Sequence, residues 1–290
     1  MPDVTSVGVG DRRERALLNR IERYFDAVPR QSARAEELGP LTLFVREGRG
    51  WPFYARPRRG GTGTGTGAVN AADVDRVRAR QRELGIPESC EWIAEITPGL
   101  RAAVEESGLV VHEHPLMVLG PDGPALPVAE LPDGLSVRIL GPDDPALRSA
   151  LAVPHLAFAE PGTGIGAAGP AELAETMWEQ AGDGSLEETA GAIREGLTAV
   201  AAAVEDGTAL CAGRHQPVGQ VSEIVGIGTL PAARRRGLGL AVTAELVADA
   251  RSRGVRTVFL SAGDDDIARL YARLGFRTVA TALIAEPAGL

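Results

Sequence analysis

The stretch Val225-Gly-Ile-Gly-Thr-Leu-Pro231 leads into Arg234-Arg-Arg-Gly-Leu-Gly239, and this passage is the clearest indication of the fold. Its pattern predicts a strand, a tight turn, and a helix whose apolar residues recur at fourfold spacing along one face. Where that helix begins, several backbone N–H groups have no acceptor within the helix, and the dipole is positive. Gly237 and Gly239 lack a Cβ, so a bulky anion can approach these N–H groups. The passage therefore predicts a phosphate site.

Other nucleotide-binding patterns fit less well. The spacing Arg234-x-x-Gly237-x-Gly239 is shorter than a Walker loop, and no Gly-Lys-Ser/Thr follows it. Gly164-Ile-Gly166-Ala-Ala-Gly169 satisfies Gly-x-Gly-x-x-Gly, but it follows a helical segment where a dinucleotide site needs a strand. We expect a flexible loop near a substrate there. The three arginines could also form only a solvated face, and the Gly-x-Gly only a tight turn.

A second motif lies downstream and consists of Asp265, Ala268, Leu270-Tyr271 and Leu274-Gly275-Phe276. Together with Arg234-x-x-Gly237-x-Gly239 it resembles the GNAT superfamily of acyl-CoA-dependent N-acyltransferases. The pyrophosphate loop of that family is written Arg/Gln-x-x-Gly-x-Gly/Ala. Asp265 departs from the Asn that is usual in the second motif, which puts the contact of that amide with the coenzyme in doubt. The resemblance covers residues 135–290 well and the first part of the chain weakly.

The resemblance implies an α/β (α+β) fold with a mixed, mainly antiparallel, twisted sheet flanked by helices. We expect two such domains in tandem: a degenerate GNAT-like domain at 1–120, a linker at 121–134, and a catalytic acetyltransferase domain at 135–290. The linker is rich in proline and cannot hold a helix. In the first domain a glycine–threonine run at 60–67 stands where a phosphate turn would be, and it is either a phosphate cradle or a mobile loop.

Hydrophobic periodicity and turn signals predict the elements of both halves. Strands are expected at 41–45, 51–55, 91–96, 109–119, 135–140, 198–204, 208–212, 221–230, 257–261 and 277–285. Helices are expected at 11–27, 98–106, 173–178, 187–197 and 264–274, after the cap Asn70, through Leu147 to Leu156, and from Leu238 to Ala250. Asp206-Gly207 is a strong hairpin signal.

Composition argues against several classes of protein. The 290-residue chain has a formal net charge of −9 and an isoelectric point near 5.1, whereas nucleic-acid binding needs a basic face. No apolar run is long enough to cross a bilayer, and residues 1–10 do not resemble a secretory signal. Cys90 and Cys211 are isolated and expected to be free, mostly buried thiols, which fits a cytoplasmic protein. The four histidines show no zinc spacing, so we expect no metal.

The resemblance implies acetyl-CoA as a co-substrate. Backbone N–H groups from Arg235 to Gly239 would hold the pyrophosphate, and the arginine side chains would lie near the 3′-phosphate or in solvent. The strand at 221–230 would splay from the strand at 257–261, so that backbone groups pair with pantetheine and polarise the thioester. The cofactor-binding residues expected on this basis are Val225, Gly226, Ile227, Arg234, Arg235, Arg236, Gly237, Leu238, Gly239, Asp265 and Ala268.

Two side chains are candidates for proton transfer. The resemblance implies that Tyr271 protonates the departing sulfur; alternatively, it is a tyrosine of the core. Glu223 lies near the start of the central strand, where some family members place a carboxylate that removes the amine proton; alternatively, it is a surface charge. His215 could face a substrate or solvent.

These observations predict an enzyme that transfers the acetyl group of acetyl-CoA to a primary amine of a small molecule or a protein. A homodimer is possible, and neither nucleic acid nor a membrane is expected as a partner. The alternative is a CoA-binding regulatory or scaffold protein without essential catalysis.

Overall fold

The computed structural model describes residues 4–48, 50, 52–59, 69–121, 123, 132 and 134–289, with the side chains of 4–11 left out. Trp51, the glycine–threonine run and most of the predicted linker lie outside the described residues. In the described part, the helices are α1 Val4–Ala27, α2 Ala71–Glu83, α3 Leu100–Glu106, α4 Leu147–Ala159, α5 Pro170–Glu179, α6 Ser185–Arg194, α7 Leu238–Ser252 and α8 Asp265–Ala272.

The strands of the described residues are β1 Ala33–Leu38, β2 Leu41–Arg46, β3 Arg56–Pro57, β4 Cys90–Ile93, β5 Leu109–Leu119, β6 Leu135–Leu140, β7 Ala199–Glu205, β8 Thr208–Val218, β9 Val221–Thr229, β10 Thr257–Ser261 and β11 Arg277–Pro287. The chain forms two compact units. Unit 1 contains the residues through Met117, Ser261–Ala268 and the residues from Thr278 on, and unit 2 contains Val118–Leu260 and Arg269–Arg277. The C-terminal strand thus groups with the N-terminal residues, and the predicted boundaries at 120 and 135 stay a prediction.

After α1, the first strands of unit 1 form a three-stranded antiparallel sheet in the order β1-β2-β3. The prediction of a strand at 51–55 is wrong: the partner of β2 is Arg56–Pro57, while Ala55 forms an isolated bridge with Cys90. The sequence pattern also missed β1, because Ala33-Arg-Ala-Glu-Glu-Leu38 is rich in charge and only partly buried.

The other strands of unit 1 follow the order β4-β11-β5. β11 pairs antiparallel with β4, with Leu283 opposite Trp92, and both side chains belong to a buried cluster that also contains residues of α2 and α3. The predicted cap of α2 is confirmed, because the Asn70 side chain accepts from the Asp73 N–H at 3.1 Å and the Asp73 carboxylate accepts from the Asn70 N–H at 3.2 Å. This capping box satisfies two N–H groups at the start of the helix.

Unit 2 contains five strands of a sheet, which are neighbours in the order β10-β9-β8-β7-β6. The pair β10–β9 is parallel, and the other three pairs are antiparallel, as expected for a mixed, mainly antiparallel sheet. The hairpin signal is confirmed, because Asp206 and Gly207 both have positive φ angles of 49° and 79° and join β7 to β8, the turn chemistry that suits hairpins. β8 runs six residues beyond its predicted end at Ala212.

Helices cover both sides of this sheet. On one side, a Cβ added to Gly228 would lie 2.9 Å from both Pro154 and Ala157 of α4. On the other side, His215 contacts Asp249 of α7. We call these sides the α4 face and the α7 face. Because side chains alternate along a strand, neighbouring residues of β8 and β9 point to opposite faces.

The predicted position of His215 in solvent or against a substrate is wrong. The ring is fully buried; Nδ1 lies 2.8 Å from Ser222 Oγ and Nε2 lies 2.8 Å from Asp249 Oδ2. Arg253 in turn binds Asp249 at 2.6 Å. Burial holds the pKa of His215 below its ordinary value, although Asp249 opposes this shift. His215 is therefore a core residue, although it follows Arg214 in a polar part of β8.

His215→Gln is expected to reduce the dependence of stability on pH. Below about pH 6.5 the unfolded chain binds a proton at this position more readily than the folded chain, so the free energy of unfolding falls as the pH falls. This contribution is at most about 1.4 kcal/mol per pH unit. Urea unfolding at pH 8.0, 6.5 and 5.0 measures it. His112→Gln, at an exposed histidine, should keep the pH dependence of the parent; parallel curves for parent and His215→Gln would contradict the expectation.

Cys90 and Cys211 are both buried free thiols, as predicted. No helix among the described residues is apolar over a length that would cross a bilayer. The described residues also hold no group of three or more His, Cys, Asp or Glu side chains that could bind a metal ion.

Candidate active site

The predicted phosphate turn connects β9 to α7. After β9, Pro231–Ala233 forms one turn of 3-10 helix, and α7 begins at Leu238 with Gly237 as its N-cap residue. Gly237 has a φ of 75° and Arg235 a φ of 67°, so the turn contains two residues in the left-handed region. Only glycine adopts this conformation without cost, which is the local reason for Gly237 at this position.

The turn suits a bulky anion. A Cβ added to Gly237 would meet no atom within 4 Å, so the turn is open on this side. Gly237 has no side chain that could cap the helix. The N–H groups of the first turn of α7 therefore remain available, as they have no acceptor within a helix. Residues 235–239 thus fit the pyrophosphate that the resemblance implies.

The Arg234 side chain is buried and not in solvent. It is 9% exposed, and its guanidinium donates to the carbonyl oxygens of Ala157 at 3.1 Å, Gly164 at 3.3 Å and Glu160. The guanidinium thus joins the turn to the C-terminal end of α4. The predicted position of this side chain near the 3′-phosphate or in solvent is wrong, because carbonyls of the chain occupy its donors.

The loop that contains the second glycine pattern is tied to the same turn. The Gly166 N–H donates to Pro231 O at 3.1 Å, and the Ala232 N–H donates to Ala168 O at 2.9 Å. The Glu160 carboxylate accepts from the Ala167 N–H at 3.1 Å. This loop follows α4 and not a strand, so the glycines shape a connection beside the turn.

The other two arginines of the turn are exposed. Arg236 binds Glu205, the last residue of β7, at 2.6 Å, and this contact lowers the pKa of the Glu205 carboxyl. Arg235 and Arg236 therefore lie at the protein surface, where their side chains could contact a phosphate group that lies outside the turn.

β9 separates from β10 beside this turn. Their parallel pairing is confined to three residue pairs, which end at Phe259 and Glu223, although both strands continue. Toward β8, Val225 pairs with Arg214 and Gly228 pairs with Ala212. β9 thus has one extra residue, a bulge at Gly226, whose φ is 66°. A bulge re-aims the backbone, and the Val225–Ile227 segment lies where the two strands have parted.

Glu223 lies at the point where β9 and β10 part. Its neighbour Ser222 contacts His215 on the α7 face, so the Glu223 side chain points to the α4 face. Gln216 stands directly opposite Glu223 in the ladder and points to the same face. Glu223 is half-buried, and both its role as a proton acceptor and the alternative of a surface charge stay predictions.

Tyr271 lies on α8. Burial raises the pKa of Tyr271, and Cys211 on β8 is close enough to raise it further. Cys211 accepts a hydrogen bond from Thr229 Oγ1 at 3.2 Å, and burial raises the pKa of this thiol to about 12. The Tyr271 side chain retains some exposed surface, and its ring centre lies 6.1 Å from that of Phe276. Tyr271 therefore lies at the edge of the core. Its raised pKa keeps the phenol protonated.

Asp265 and Ala268 lie in the first turns of α8. Asp265 is exposed and Ala268 is buried. The cap of the helix is Asp264, whose Oδ1 accepts from the Ile267 N–H at 2.8 Å. The contact of Asp265 and Ala268 with a coenzyme stays a prediction.

Sequence reasoning missed Arg214 and Gln216, which share the α4 face with Glu223. The cause is the early predicted end of β8 at Ala212. The alternation of polar residues at 214 and 216 with a buried residue at 215 is the pattern of a continuing strand.

Comparison with known proteins agrees with this architecture. Residues 200–284, from β7 into β11, match the family model described as FR47-like protein. No curated protein matches the chain.

Solved structures share the fold over most of the chain. A GCN5-related N-acetyltransferase from Kribbella flavida is 23% identical, with a TM-score of 0.67 over 94% of this chain and 96% of that one. A GCN5-related N-acetyltransferase-like protein from Streptococcus suis is 14% identical, with a TM-score of 0.53 over 93% and 97%. A tandem GNAT protein from the clavulanic acid biosynthesis pathway is 17% identical, with a TM-score of 0.53 over 84% and 77%. The predicted resemblance to the GNAT superfamily is confirmed, and the chain has the GNAT fold.

Proposed function

We propose that the protein is an N-acetyltransferase that uses acetyl-CoA to acetylate a primary amine. The observation that carries the proposal is the open turn at 235–239 beside the point where β9 and β10 part. The turn suits a pyrophosphate. The gap between β9 and β10 leaves backbone groups of Val225–Ile227 open to an extended chain. A GNAT fold supports acyl transfer from CoA, and the choice of acetyl and of a primary amine is part of the proposal.

The two candidate proton-transfer groups are Glu223, which points to the α4 face, and Tyr271, which lies on α8. In the proposed reaction the amine nitrogen bonds to the acyl carbon while its proton passes to Glu223. The carbon–sulfur bond breaks, and the phenol of Tyr271 protonates the departing sulfur. N–H groups at the bulge of β9 polarise the acyl oxygen.

A binding and turnover experiment tests this proposal. Titration of acetyl-CoA into the whole chain by calorimetry should give a stoichiometry near one, because only residues 135–290 carry the turn motif. Incubation with acetyl-CoA and a panel of amines should release free thiol. A stoichiometry near two would contradict a single site, and binding without thiol release with any amine would favour a CoA-binding protein that is not an enzyme.

Glu223→Gln is expected to lower kcat/KM about 10²- to 10⁴-fold at neutral pH, the usual contribution of a general base. The loss should shrink at high pH, because a deprotonated amine no longer needs the carboxylate. A pH–rate profile of kcat/KM measures this. Glu195→Gln, at an exposed carboxylate, serves as the control with the same chemical change. A profile of Glu223→Gln with the shape of the parent profile would assign Glu223 a role other than proton removal.

A further inference from the structure

We propose that unit 1 carries a binding surface for a double-stranded nucleic acid, formed by five exposed arginines of α1. We call this surface the arginine face, and its members are Arg12, Arg13, Arg15, Arg20 and Arg23. The face belongs to unit 1, whereas the phosphate turn at 235–239 belongs to unit 2. The inference therefore goes beyond the proposed function and does not depend on it.

The five arginines share one side of the helix. Successive residues of an α-helix are rotated by about 100° and rise by about 1.5 Å. Arg12 and Arg23 therefore lie about 20° apart around the axis of α1 and about 17 Å apart along it, and all five fall within an arc of about 160°. The opposite side of the helix carries Leu18 and Ile21, which are buried. The apolar side thus packs α1 against the rest of unit 1, and the basic side is left at the surface.

The charge of the arginine face is not neutralised by the acids of α1. Arg20 interacts with another residue of the protein, but the other four arginines form no ion pair with any described residue. Glu14 is exposed, but it lies about 180° around the helix from Arg23. Glu22 and Asp26 are half-buried, and Asp26 is already paired with two arginines outside the face. A concentrated positive charge therefore faces solvent.

This local charge differs from the average of the chain. The formal net charge of −9 predicts no nucleic-acid partner, because binding of a polyanion needs a basic face. At physiological salt, however, exposed charges more than about 8 Å apart are largely screened from each other. A polyanion in contact with α1 therefore responds mainly to the arginines of the face.

The chemistry and the length of the face fit the phosphates of a duplex. A guanidinium binds a phosphate through two parallel hydrogen bonds, which a lysine ammonium cannot do. A nucleic-acid duplex carries one negative charge for about every 1.7 Å of its axis. The arginine face, about 17 Å long, therefore spans roughly ten phosphate charges. Such a contact positions the duplex without reading its sequence.

Other anionic partners fit the face less well. A helix that lies in a membrane surface needs a free apolar side, and the apolar side of α1 is buried. The centre of a protein interface is rich in aromatic and other apolar side chains, and single strands stack their bases on aromatic rings. Among the described residues, none of the exposed large apolar side chains lies on α1. The observations therefore favour a duplex backbone.

Binding of the whole chain to a labelled DNA duplex of about 20 base pairs tests the inference. Fluorescence anisotropy should give a Kd of about 1–100 µM at physiological salt, the usual range for binding without sequence specificity. A plot of log K against log salt should have a slope of about −3 to −5, as expected when four or five phosphates are neutralised. Two duplexes of unrelated sequence should bind with the same affinity.

A triple variant assigns the binding to the arginine face. Arg12→Gln, Arg15→Gln and Arg23→Gln together should reduce the size of the salt slope by about three, or about one for each arginine removed. The affinity near 0.1 M salt should fall about 100-fold. Glutamine is a good helix former and the three positions are exposed, so the far-UV circular dichroism should match that of the parent.

A second triple variant controls for the change in net charge. It replaces three exposed arginines that each pair with a carboxylate outside the arginine face, by Arg76→Gln, Arg82→Gln and Arg194→Gln. This variant should bind the duplex with the affinity and the salt slope of the parent. Equal losses in the two triple variants would overturn the inference, since the total charge and not the arginine face would then govern binding.

Three further results would overturn the inference. The first is absence of binding by the parent at about 50 mM salt, where contacts to phosphate are strong. The second is equal affinity for the duplex and for poly-L-glutamate, which would show attraction to any polyanion. The third is tighter binding to vesicles of anionic phospholipid than to the duplex, which would assign the face to a membrane surface. None of these results bears on the proposed acetyltransferase, because the experiment contains neither coenzyme nor acceptor.

Discussion

Gly237→Val is expected to lower the affinity for CoA by more than about 100-fold. The branched side chain would cover the N–H groups of the first turn of α7. At least two charge-assisted hydrogen bonds of about 1.5–3 kcal/mol each would then be lost. The protein has room for the side chain, because no atom lies within 4 Å of the added Cβ. The φ of 75° makes a non-glycine residue cost about 1–2 kcal/mol there. Calorimetry with free CoA measures the affinity.

Gly254→Val is the matched control. Gly254 has a φ of 82°, and an added Cβ would likewise meet no atom within 4 Å, but it follows the opposite end of α7. Both variants should lose a similar free energy of unfolding, measured with urea, and only Gly237→Val should lose CoA. Equal CoA affinity in the two variants would mean that the phosphate turn is not at 235–239.

Tyr271→Phe is expected to lower kcat about 10- to 1,000-fold with little change in the affinity for CoA, because it removes a proton donor and keeps the ring. Burial raises the pKa of Tyr271, so the phenol stays protonated above its ordinary range. The parent should therefore show no loss of kcat from deprotonation of Tyr271 up to about pH 10. Steady-state kinetics of both proteins from pH 6 to pH 10 measure this.

Tyr54→Phe, which makes the same change at a half-buried tyrosine of unit 1, controls for the loss of a phenol elsewhere. A Tyr271→Phe enzyme with the kcat of the parent would assign Tyr271 to packing against Phe276. A variant with weakened CoA binding and unchanged kcat would assign it to coenzyme binding.

The features that could be predicted depend on residues close together in the chain. The turn at 234–239, the cap at Asn70 and the hairpin at Asp206-Gly207 each follow from local backbone preferences, and the structure has a turn, a capped helix and a hairpin at these positions. The apolar run Thr257–Ser261 likewise predicts β10, because a strand buried on both faces is apolar throughout.

The errors involve residues whose environment is set by distant parts of the chain. His215 and Arg234 are polar residues next to charged neighbours, which suggested exposure. Both are buried, because each finds partners far away in sequence: Asp249 for His215, and the carbonyls of Ala157 and Glu160 for Arg234. Burial of a polar side chain costs little free energy only when such partners exist, and the local pattern does not reveal them.

Local sequence patterns predict most of the strands and helices, the turn at 234–239 and the two motifs that resemble the GNAT superfamily. Only the folded structure shows that β11 pairs with β4, that β9 parts from β10 after Glu223, and that Arg214 and Glu223 share a face. The difference lies in how far apart along the chain the interacting residues are. Backbone dihedral preferences and helix ends act over a few residues, whereas strand pairing joins residues as far apart as Trp92 and Leu283 and depends on which apolar surfaces are buried together.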